Sequence, residues 1–332
     1  MSELAALREK LFIRQEELHK VLHVGLGETA SCGYNRRCAV SDPGRRNICE
    51  EYFQQLMPEY GAFAEAVRRE LAGKTPFAPG VPIAEDDLWL WGGPTPEWGG
   101  SPDPDTLMKT ASYFDARNGI YVYGPTTEEM IARHRGMKKL LAMVTSTCRA
   151  PGQQPESDEE CAEKLGRLSL EYPNIAGGMM DDMTAALENV TPEKTEQVAR
   201  VERALKKHNP ALELFCVVYN HELGKKDFSP LQPYLDGVSL WFWYQEELLD
   251  LMERVELCRR NFPGKKLLMG VFLHDYGTAD AGTLPELLLH QLQGARQLLA
   301  EKKIGGIIIL GDREILKWPE QAAVVKGFLA AR

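Results

Sequence analysis

One pattern recurs about eight times between residue 86 and the C-terminus, and it limits the fold more than any other feature. Each unit is a short continuous apolar run, then a polar break, then an amphipathic stretch with helical spacing. Apolar strands that alternate with helices are typical of a parallel sheet covered by helices. Eight such units favour closure into a (β/α)8 TIM barrel, an α/β fold, over an open doubly wound sheet.

The eight predicted strands can be located by their apolar runs. They span residues 88–93, 119–124, 139–148, 175–182, 212–219, 237–244, 266–276 and 304–312. Helices are predicted near 158–170 and 318–330, over 246–261 and 284–302, after a cap near Thr126-Thr127, and from Thr191-Pro192. The chain contains no GxGxxG or GxxxxGK[ST] motif to support a nucleotide-binding sheet instead.

Residues 1–84 differ from the barrel region at 85–332. Leucines at helical spacing predict a helix from Leu4 to about Leu22, and a polar loop from Gly25 to Asn47 follows. Residues 49–71 predict one or two helices broken at Pro58 and Gly61. This segment has too few apolar residues for a core of its own. We therefore predict a helical N-terminal cap that packs on a catalytic barrel.

Composition and charge exclude several classes of partner. The net charge of −9 argues against nucleic acid or an anionic membrane. No apolar run approaches the roughly 18 residues of a membrane span, and the charged N-terminus does not resemble a signal peptide. Seven cysteines, odd in number and scattered, suggest reduced thiols. We expect a cytoplasmic protein without a cofactor, and a homo-oligomer is left open.

The first three cysteines are candidate metal ligands, together with two upstream histidines. Cys32, Cys38 and Cys49 have C-x5-C and C-x10-C spacing, which matches no standard zinc or cluster pattern. His19 and His23 would be the additional ligands. The favoured interpretation is that these cysteines are small buried apolar residues, and no metal is predicted.

The carboxyl ends of parallel barrel strands converge on one face, and catalysis is expected there. In this chain polar and aromatic residues replace aliphatic ones late in each strand. The candidate substrate-binding residues are Trp89, Trp91, Tyr123, Arg149, Tyr219, His221, Trp241, Trp243, Glu246, His274, Tyr276 and Asp312. The polar and aromatic gradient itself marks this face as the site.

A carboxylate pair, Asp181-Asp182, ends the fourth apolar run. Alternate residues of a strand face opposite sides, so the two acids should point in different directions, and the sequence leaves open which one faces the pocket. Glycoside hydrolysis uses two carboxyl groups, one of them protonated. Asp275, at the end of the seventh strand, is the predicted third catalytic acid, and Glu246 and Asp312 are reserves.

The aromatic residues at the strand ends suggest the ligand. Flat rings near carboxylates suit sugars, whose C–H faces stack while their hydroxyl groups bind acids and histidines. His221 or His274 could bind a hydroxyl group or tune the pKa of an acid. The predicted partner is therefore a small carbohydrate or glycoside. For any one tryptophan, the alternative is that its ring only fills the barrel core.

Four motifs carry a resemblance to a known group. The motifs that carry the resemblance are Trp89-Leu-Trp-Gly-Gly-Pro, Gly178-Met-Met-Asp-Asp, Trp241-Phe-Trp and Gly270-Val-Phe-Leu-His-Asp-Tyr-Gly. Over about residues 86–330 the chain resembles uncharacterised bacterial glycoside-hydrolase-like (β/α)8 barrel proteins. The resemblance implies a glycosidase with acids on strand four and on a later strand. The chain differs from the large clan with paired Glu on strands four and seven, because both positions carry the shorter Asp.

Two further functions stay open. A metal-dependent hydrolase, lyase or isomerase could use Asp181, Asp182, His221, His274 and Asp275 as ligands, although no HExxH motif is present. A non-catalytic carbohydrate-binding barrel would keep the aromatic residues and use the acids only for affinity. A glycosidase, or a related carbohydrate-active enzyme acting on a small glycoside or oligosaccharide, remains the favoured prediction.

Overall fold

The computed structural model describes residues 3–26, 43–95, 101–145, 156–185, 187–277 and 281–331. Eight parallel strands form a closed barrel in the order β1-β10-β7-β6-β5-β4-β3-β2. The barrel strands are β1 (Leu88–Gly92), β2 (Asn118–Tyr121), β3 (Lys139–Met143), β4 (Ile175–Met180), β5 (Glu213–Tyr219), β6 (Gly237–Trp241), β7 (Lys266–Val271) and β10 (Gly306–Leu310). This topology confirms the predicted (β/α)8 barrel.

A two-stranded antiparallel hairpin follows β7 at the carboxyl end of the barrel. Its strands are β8 (His274–Asp275) and β9 (Ala281–Gly282). The predicted seventh strand ran without a break to residue 276. Its last residues instead leave the barrel and enter this hairpin, because the barrel ladder with β6 and β10 ends near Val271.

Helices alternate with the strands as predicted. They are α1 (Glu3–Leu26), α2 (Pro43–Ala72), α3 (Thr106–Phe114), α4 (Glu128–Arg133), α5 (Asp158–Leu168), α6 (Pro192–Lys206), α7 (Leu251–Asn261), α8 (Pro285–Ala300), α9 (Asp312–Lys317) and α10 (Pro319–Ala330). Short 3-10 helices lie at Glu85–Asp87, Asn220–Glu222, Ser229–Tyr234 and Gln245–Asp250. The last of these replaces the first turns of the helix predicted over 246–261.

Side-chain caps fix where several barrel helices begin. The hydroxyl groups of Thr127 and Thr191 accept hydrogen bonds from the backbone N–H three residues later, and Ser157 forms a reciprocal capping box with Glu160. Pro192 occupies the first helical position of α6. Each cap satisfies an N–H group that the helix leaves without an intrahelical partner. The caps predicted near residues 127 and 191 are therefore confirmed.

The N-terminal segment forms longer helices than the sequence predicted. The prediction of helices broken at Pro58 and Gly61 is wrong, because α2 runs unbroken through both residues. The predicted loop up to Asn47 also ends early, since α2 begins at Pro43. Leu56 and Phe63 on this helix are fully buried. Burial of its apolar side outweighs the hydrogen bond that proline removes.

Both N-terminal helices pack at the carboxyl end of the barrel. Arg68 on α2 pairs with Glu286 in the first turn of α8, and the Tyr60 hydroxyl donates to the Gly282 carbonyl of the hairpin. The chain then descends along α8, where the Val81 N–H donates to the Arg296 carbonyl. It enters β1 from the opposite end. The N-terminal helices therefore lie beside the face on which barrel active sites are built.

Alternation along the strands divides the core into two layers. The outer layer packs strands against helices and includes Leu90, Met180 and Phe242. The barrel interior is a separate cluster. Its buried members are Trp89, Trp91, Ile120, Val122, Leu141, Met143, Met179, Phe215, Val217, Tyr219, Trp241, Leu268, Ile308 and Leu310. Trp89 lies deep among them and is 6% exposed, so its ring fills the interior.

Candidate active site

Asp181 follows β4 directly and lies at the barrel mouth. Met179 belongs to the interior cluster and Met180 to the outer layer, so the alternation carries Asp181 back to the interior side. The residue is half-buried. Burial, followed by the charge of the adjacent Asp182, raises the pKa of Asp181 to about 8. A raised pKa favours the protonated carboxyl group, which is the form that a general acid requires.

Asp182 has a different environment from its neighbour. Its side chain is exposed, and its Oδ1 accepts a 2.6 Å hydrogen bond from the Tyr219 hydroxyl on β5. The backbone turns sharply here, with φ at 48°. The turn allows both acids to border the mouth, one half-buried and one exposed. Two carboxyl groups in unlike environments are the arrangement that separates an acid role from an anionic role.

Tyr219 connects the acid pair to the interior cluster. Its ring is buried, and its hydroxyl reaches Asp182. Burial, together with the charges of Asp182 and Asp181, raises the pKa of Tyr219 well above its usual value. The hydroxyl therefore keeps its proton and donates a hydrogen bond to the Asp182 carboxylate. This hydrogen bond fixes the orientation of Asp182.

Two residues with strained backbone conformations lie at the barrel mouth. Four described non-glycine residues have positive φ, and two of them, Asp115 and Lys302, end or follow helices. The other two are Asp182 and Tyr123, each just after a barrel strand. Tyr123 has φ at 70°, which is unfavourable for a bulky side chain. Strained backbone of this kind collects at functional sites, where the surrounding structure holds it in place.

A continuous series of rings crosses the mouth, here called the aromatic belt. It comprises Trp91, Trp241, Phe272, Tyr276, Trp243 and Tyr219. Successive ring centroids lie 5.4, 4.6, 4.3, 4.8 and 5.2 Å apart. Tyr123 extends the belt, because its hydroxyl accepts a 2.9 Å hydrogen bond from Trp91 Nε1. The belt ends at Tyr219, which binds Asp182, so apolar ring faces adjoin the acids.

The predicted histidines contact different rings of this belt. His221 stacks on Tyr219 at 5.6 Å and contacts Trp243 edge-on at 6.1 Å. Burial lowers the pKa of His221, which favours the neutral ring. His274 packs 3.8 Å from Tyr276 and 6.3 Å from Trp318, an aromatic residue that the sequence analysis did not select. Trp318 immediately precedes α10 and belongs to no predicted strand, so the strand pattern did not indicate it.

Asp275 differs in its environment from the acid pair after β4. Phe272 and Tyr276 belong to the interior cluster and Leu273 to the outer layer, and the alternation places Asp275 on the side of Leu273. Its carboxylate is buried and accepts two 3.1 Å hydrogen bonds from Arg8 on α1. Gln245 and the Gly277 N–H donate to it as well. Four donor groups thus surround this carboxylate inside the protein.

Glu246 belongs to the same ionic network. Its Oε1 accepts a 2.8 Å hydrogen bond from Arg8 Nε, and its other oxygen pairs with Arg8 Nη2. Two further predicted residues fall outside what the structure describes. Arg149 lies in a range that is not described, and Asp312 begins α9 with its side chain outside the description. Cys32 and Cys38 are likewise outside the described residues, and so is the side chain of Cys49.

A buried ion pair that was not among the predicted site residues lies beneath the acids. Glu222 is 2% exposed and pairs with Lys226 four residues later. Its Oε1 also accepts from the Thr184 hydroxyl, and its Oε2 accepts from the Tyr219 N–H. The pair thereby joins the segment after Asp182 to the end of β5. The i,i+4 spacing of Glu222 and Lys226 was the only sequence signal, and such pairs are common on exposed helices.

A glycine supports the belt from below. A Cβ atom at Gly270 on β7 would lie 2.1 Å from the Trp241 ring, whereas a Cβ at Gly327 on α10 would meet nothing within 4 Å. We expect Gly270→Ala to displace Trp241 and lower the free energy of unfolding by about 1–3 kcal/mol. Gly327→Ala should instead stabilise the helix by roughly 0.5–1 kcal/mol. Thermal unfolding and tryptophan fluorescence measure both effects, and equal behaviour of the two variants would contradict the packing at Gly270.

The described residues contain no metal cluster and no membrane span. Within the described ranges, no three His, Cys, Asp or Glu side chains come close enough together to hold a metal ion. Among the described helices, none has the length and apolar character needed to cross a membrane.

The solved structures that are similar to this chain have low sequence identity to it. No protein-family model matches the chain, and no curated protein matches it. Similar solved structures include concanavalin B, with 10% identity, a TM-score of 0.47, and coverage of 74% of this chain and 99% of that chain. A GH2 beta-galacturonidase from Eisenbergiella tayi has 13% identity and a TM-score of 0.48, with 76% of this chain and 52% of that chain covered.

A family GH18 chitinase from Chromobacterium violaceum is also similar. It has 13% identity and a TM-score of 0.46, with 77% of this chain and 87% of that chain covered. Identity this low transfers neither a substrate nor a catalytic residue. The fold and the site together define a (β/α)8-barrel protein with an acid pair and an aromatic mouth, and its structural neighbours include glycoside hydrolases.

Proposed function

We propose that the protein is a glycoside hydrolase, or a related carbohydrate-active enzyme, that acts on a small glycoside or oligosaccharide. The observation that carries the proposal is the pair at the end of β4, where a half-buried acid with a raised pKa adjoins an exposed carboxylate. Such a pair supplies the two charge states that hydrolysis of a glycosidic bond requires. The aromatic belt supplies flat faces for the sugar rings.

In the proposed mechanism Asp181 is the general acid. Its proton moves to the glycosidic oxygen as the bond from that oxygen to the anomeric carbon breaks. The Asp182 carboxylate, held by the Tyr219 hydroxyl, faces the positive charge that develops on the sugar ring. A water molecule then adds to the anomeric carbon, and the proton that it releases restores the acid. Trp243 and Tyr276 stack on the sugar beside the acids.

Asp275 and Glu246 have structural roles in this proposal. Sequence analysis selected Asp275 as a catalytic acid and Glu246 as a substrate ligand. Both carboxylates pair with Arg8, and Asp275 is buried on the outer side of its strand. A carboxylate enclosed by four donor groups has little freedom to exchange a proton with a substrate. The buried Trp89 is likewise assigned to the barrel core and not to sugar binding.

The test is hydrolysis of a panel of aryl α- and β-glycosides and short oligosaccharides, with and without EDTA. We expect turnover of at least one member, unchanged by EDTA, because the proposed chemistry uses only carboxyl groups. Turnover abolished by EDTA would instead indicate a metal-dependent hydrolase, lyase or isomerase. Sugar binding without turnover would identify a carbohydrate-binding barrel. The proposed compartment for these small substrates is the cytoplasm.

A further inference from the structure

We propose that helix α1 forms part of the active site, with Arg8 as the positioning residue for the wall made by Trp243 and Tyr276. The inference rests on the proposed function, because it gives this wall the task of holding the sugar. Arg8 lies more than 230 residues from its acidic partners in the sequence. The effect passes through the Asp275 carboxylate and the backbone N–H groups of Gln245 and Gly277 that it binds.

Arg8 is held as a buried cation. It is 5% exposed, and its guanidinium forms hydrogen bonds to both Asp275 and Glu246. The group lies 4.3 Å from the centroid of Phe63 on α2 and 5.5 Å from that of Tyr244. The planar guanidinium therefore sits between aromatic rings while its edges bind two carboxylates. This is a geometry that arginine provides and lysine does not.

Asp275 transmits this constraint to the two segments that carry the wall. Its Oδ1 accepts from the Gly277 N–H at 3.1 Å and from the Gln245 N–H at 3.3 Å. Gly277 directly follows Tyr276, and Gln245 lies two residues after Trp243. The Gly277 N–H also donates to the Trp243 carbonyl at 2.9 Å. One carboxylate thus fixes the spacing of the backbones beneath both rings, whose centroids lie 4.8 Å apart.

The buried Asp275 carboxylate needs Arg8 as its counterion. The Asp275 side chain has 0% exposure, so without Arg8 it would be an unpaired buried carboxylate. Loss of this counterion would rearrange the hydrogen bonds that the carboxylate accepts from Gly277 and Gln245. The wall would consequently shift relative to Asp181 and Asp182, which follow a different strand, β4. The N-terminal helices therefore do more than cover the barrel: they set the shape of the sugar site.

The experiment compares Arg8→Gln and Arg8→Lys in the full-length chain. Arg68→Gln is the matched control. Arg68 also lies on an N-terminal helix and pairs with a carboxylate of the barrel, but its side chain is exposed. We expect Arg8→Gln to raise KM for the best aryl glycoside of the panel roughly ten- to hundredfold, with a much smaller change in kcat. Arg8→Lys should keep most of the melting temperature yet leave KM high, because a point charge cannot bridge both carboxylates.

A second measurement needs no substrate. Hydrogen exchange of the backbone amides in segments 243–247 and 272–277 should be faster in both Arg8 variants, and exchange in β2 should stay as in the parent. A purely global loss of stability would speed all of these segments together. Unchanged exchange in the two wall segments would overturn the positioning role. If the parent hydrolyses no member of the panel, the proposed function fails, and the exchange data still decide whether Arg8 holds the wall.

Discussion

Replacement of Asp181 by Asn is expected to lower turnover of the best panel substrate by roughly 10²–10⁴-fold, the range that general acid catalysis contributes. Asn has nearly the same shape as a protonated Asp but cannot deliver a proton. The measurement is kcat/KM for the parent and the variant with the same glycoside. Asp86→Asn is the matched control, because Asp86 pairs with Lys138 at the opposite end of the barrel. Full turnover in Asp181→Asn would remove Asp181 from the chemistry.

Activity and folding stability should both depend on pH through the raised pKa of Asp181. The pKa of Asp181 is raised to about 8 in the folded chain, so activity should be present below that value and lost as the pH rises through it. Folding stability changes in the same window. An unfolded Asp titrates near 3.8, and between the two values the folded chain holds a proton that the unfolded chain releases. Stability therefore falls as the pH rises between them.

Asn at position 181 has no such proton and should not show this fall. The stability of Asp181→Asn relative to the parent should therefore increase as the pH rises from about 5 to about 9. Its turnover should be low at both pH values. Asp182→Asn provides a second comparison. Asn tolerates the positive φ and still accepts from Tyr219, so the fold should be unchanged while the charge that supports the transition state is removed.

The second large effect is expected on stability. Arg8→Ala should lower the free energy of unfolding by about 3–5 kcal/mol, because it leaves Asp275 as an unpaired charge in the protein interior. Arg68→Ala breaks an exposed ion pair between α2 and α8 and should lower the free energy of unfolding by no more than about 1 kcal/mol. Denaturant unfolding of the three proteins measures the difference.

A double variant separates the charge from the packing. In Arg8→Ala with Asp275→Asn the uncompensated charge is gone, so the loss should be smaller than the sum of the two single losses. Additive losses would mean that the two groups do not interact, and would contradict the ion pair. A small loss in Arg8→Ala alone would show that the barrel mouth is stable without the ion pair between Arg8 and Asp275.

Several parts of the site could be predicted from local patterns. The paired tryptophans of β1 and of the segment from β6 fall on the interior side as period-2 alternation requires, and Phe242 falls outside. Tyr219 and His221 also share one side, and their rings stack. These predictions hold because side-chain direction in a strand depends only on position along it. Local capping residues fixed the start of α6 for the same reason.

Other parts needed contacts between distant segments. Asp275 and Asp181 both end apolar runs next to polar loops, so both were equal candidates for a catalytic acid. The structure separates them, because a cation 267 residues away pairs with one and leaves the other at the mouth. Trp318 and Glu222 were missed for a similar reason. Each acquires its position from neighbours on other elements, which no local pattern records.

The sequence by itself determined the barrel, since eight alternating apolar strands and amphipathic helices have few other ways to bury their apolar faces. It also determined which face carries polar and aromatic residues, because parallel strands bring their carboxyl ends together. Only the tertiary structure decided the charge state of Asp181, the orientation of Asp182 and the partner of Asp275. Those properties depend on burial and on the distance to other charges, and both arise only when remote segments pack together.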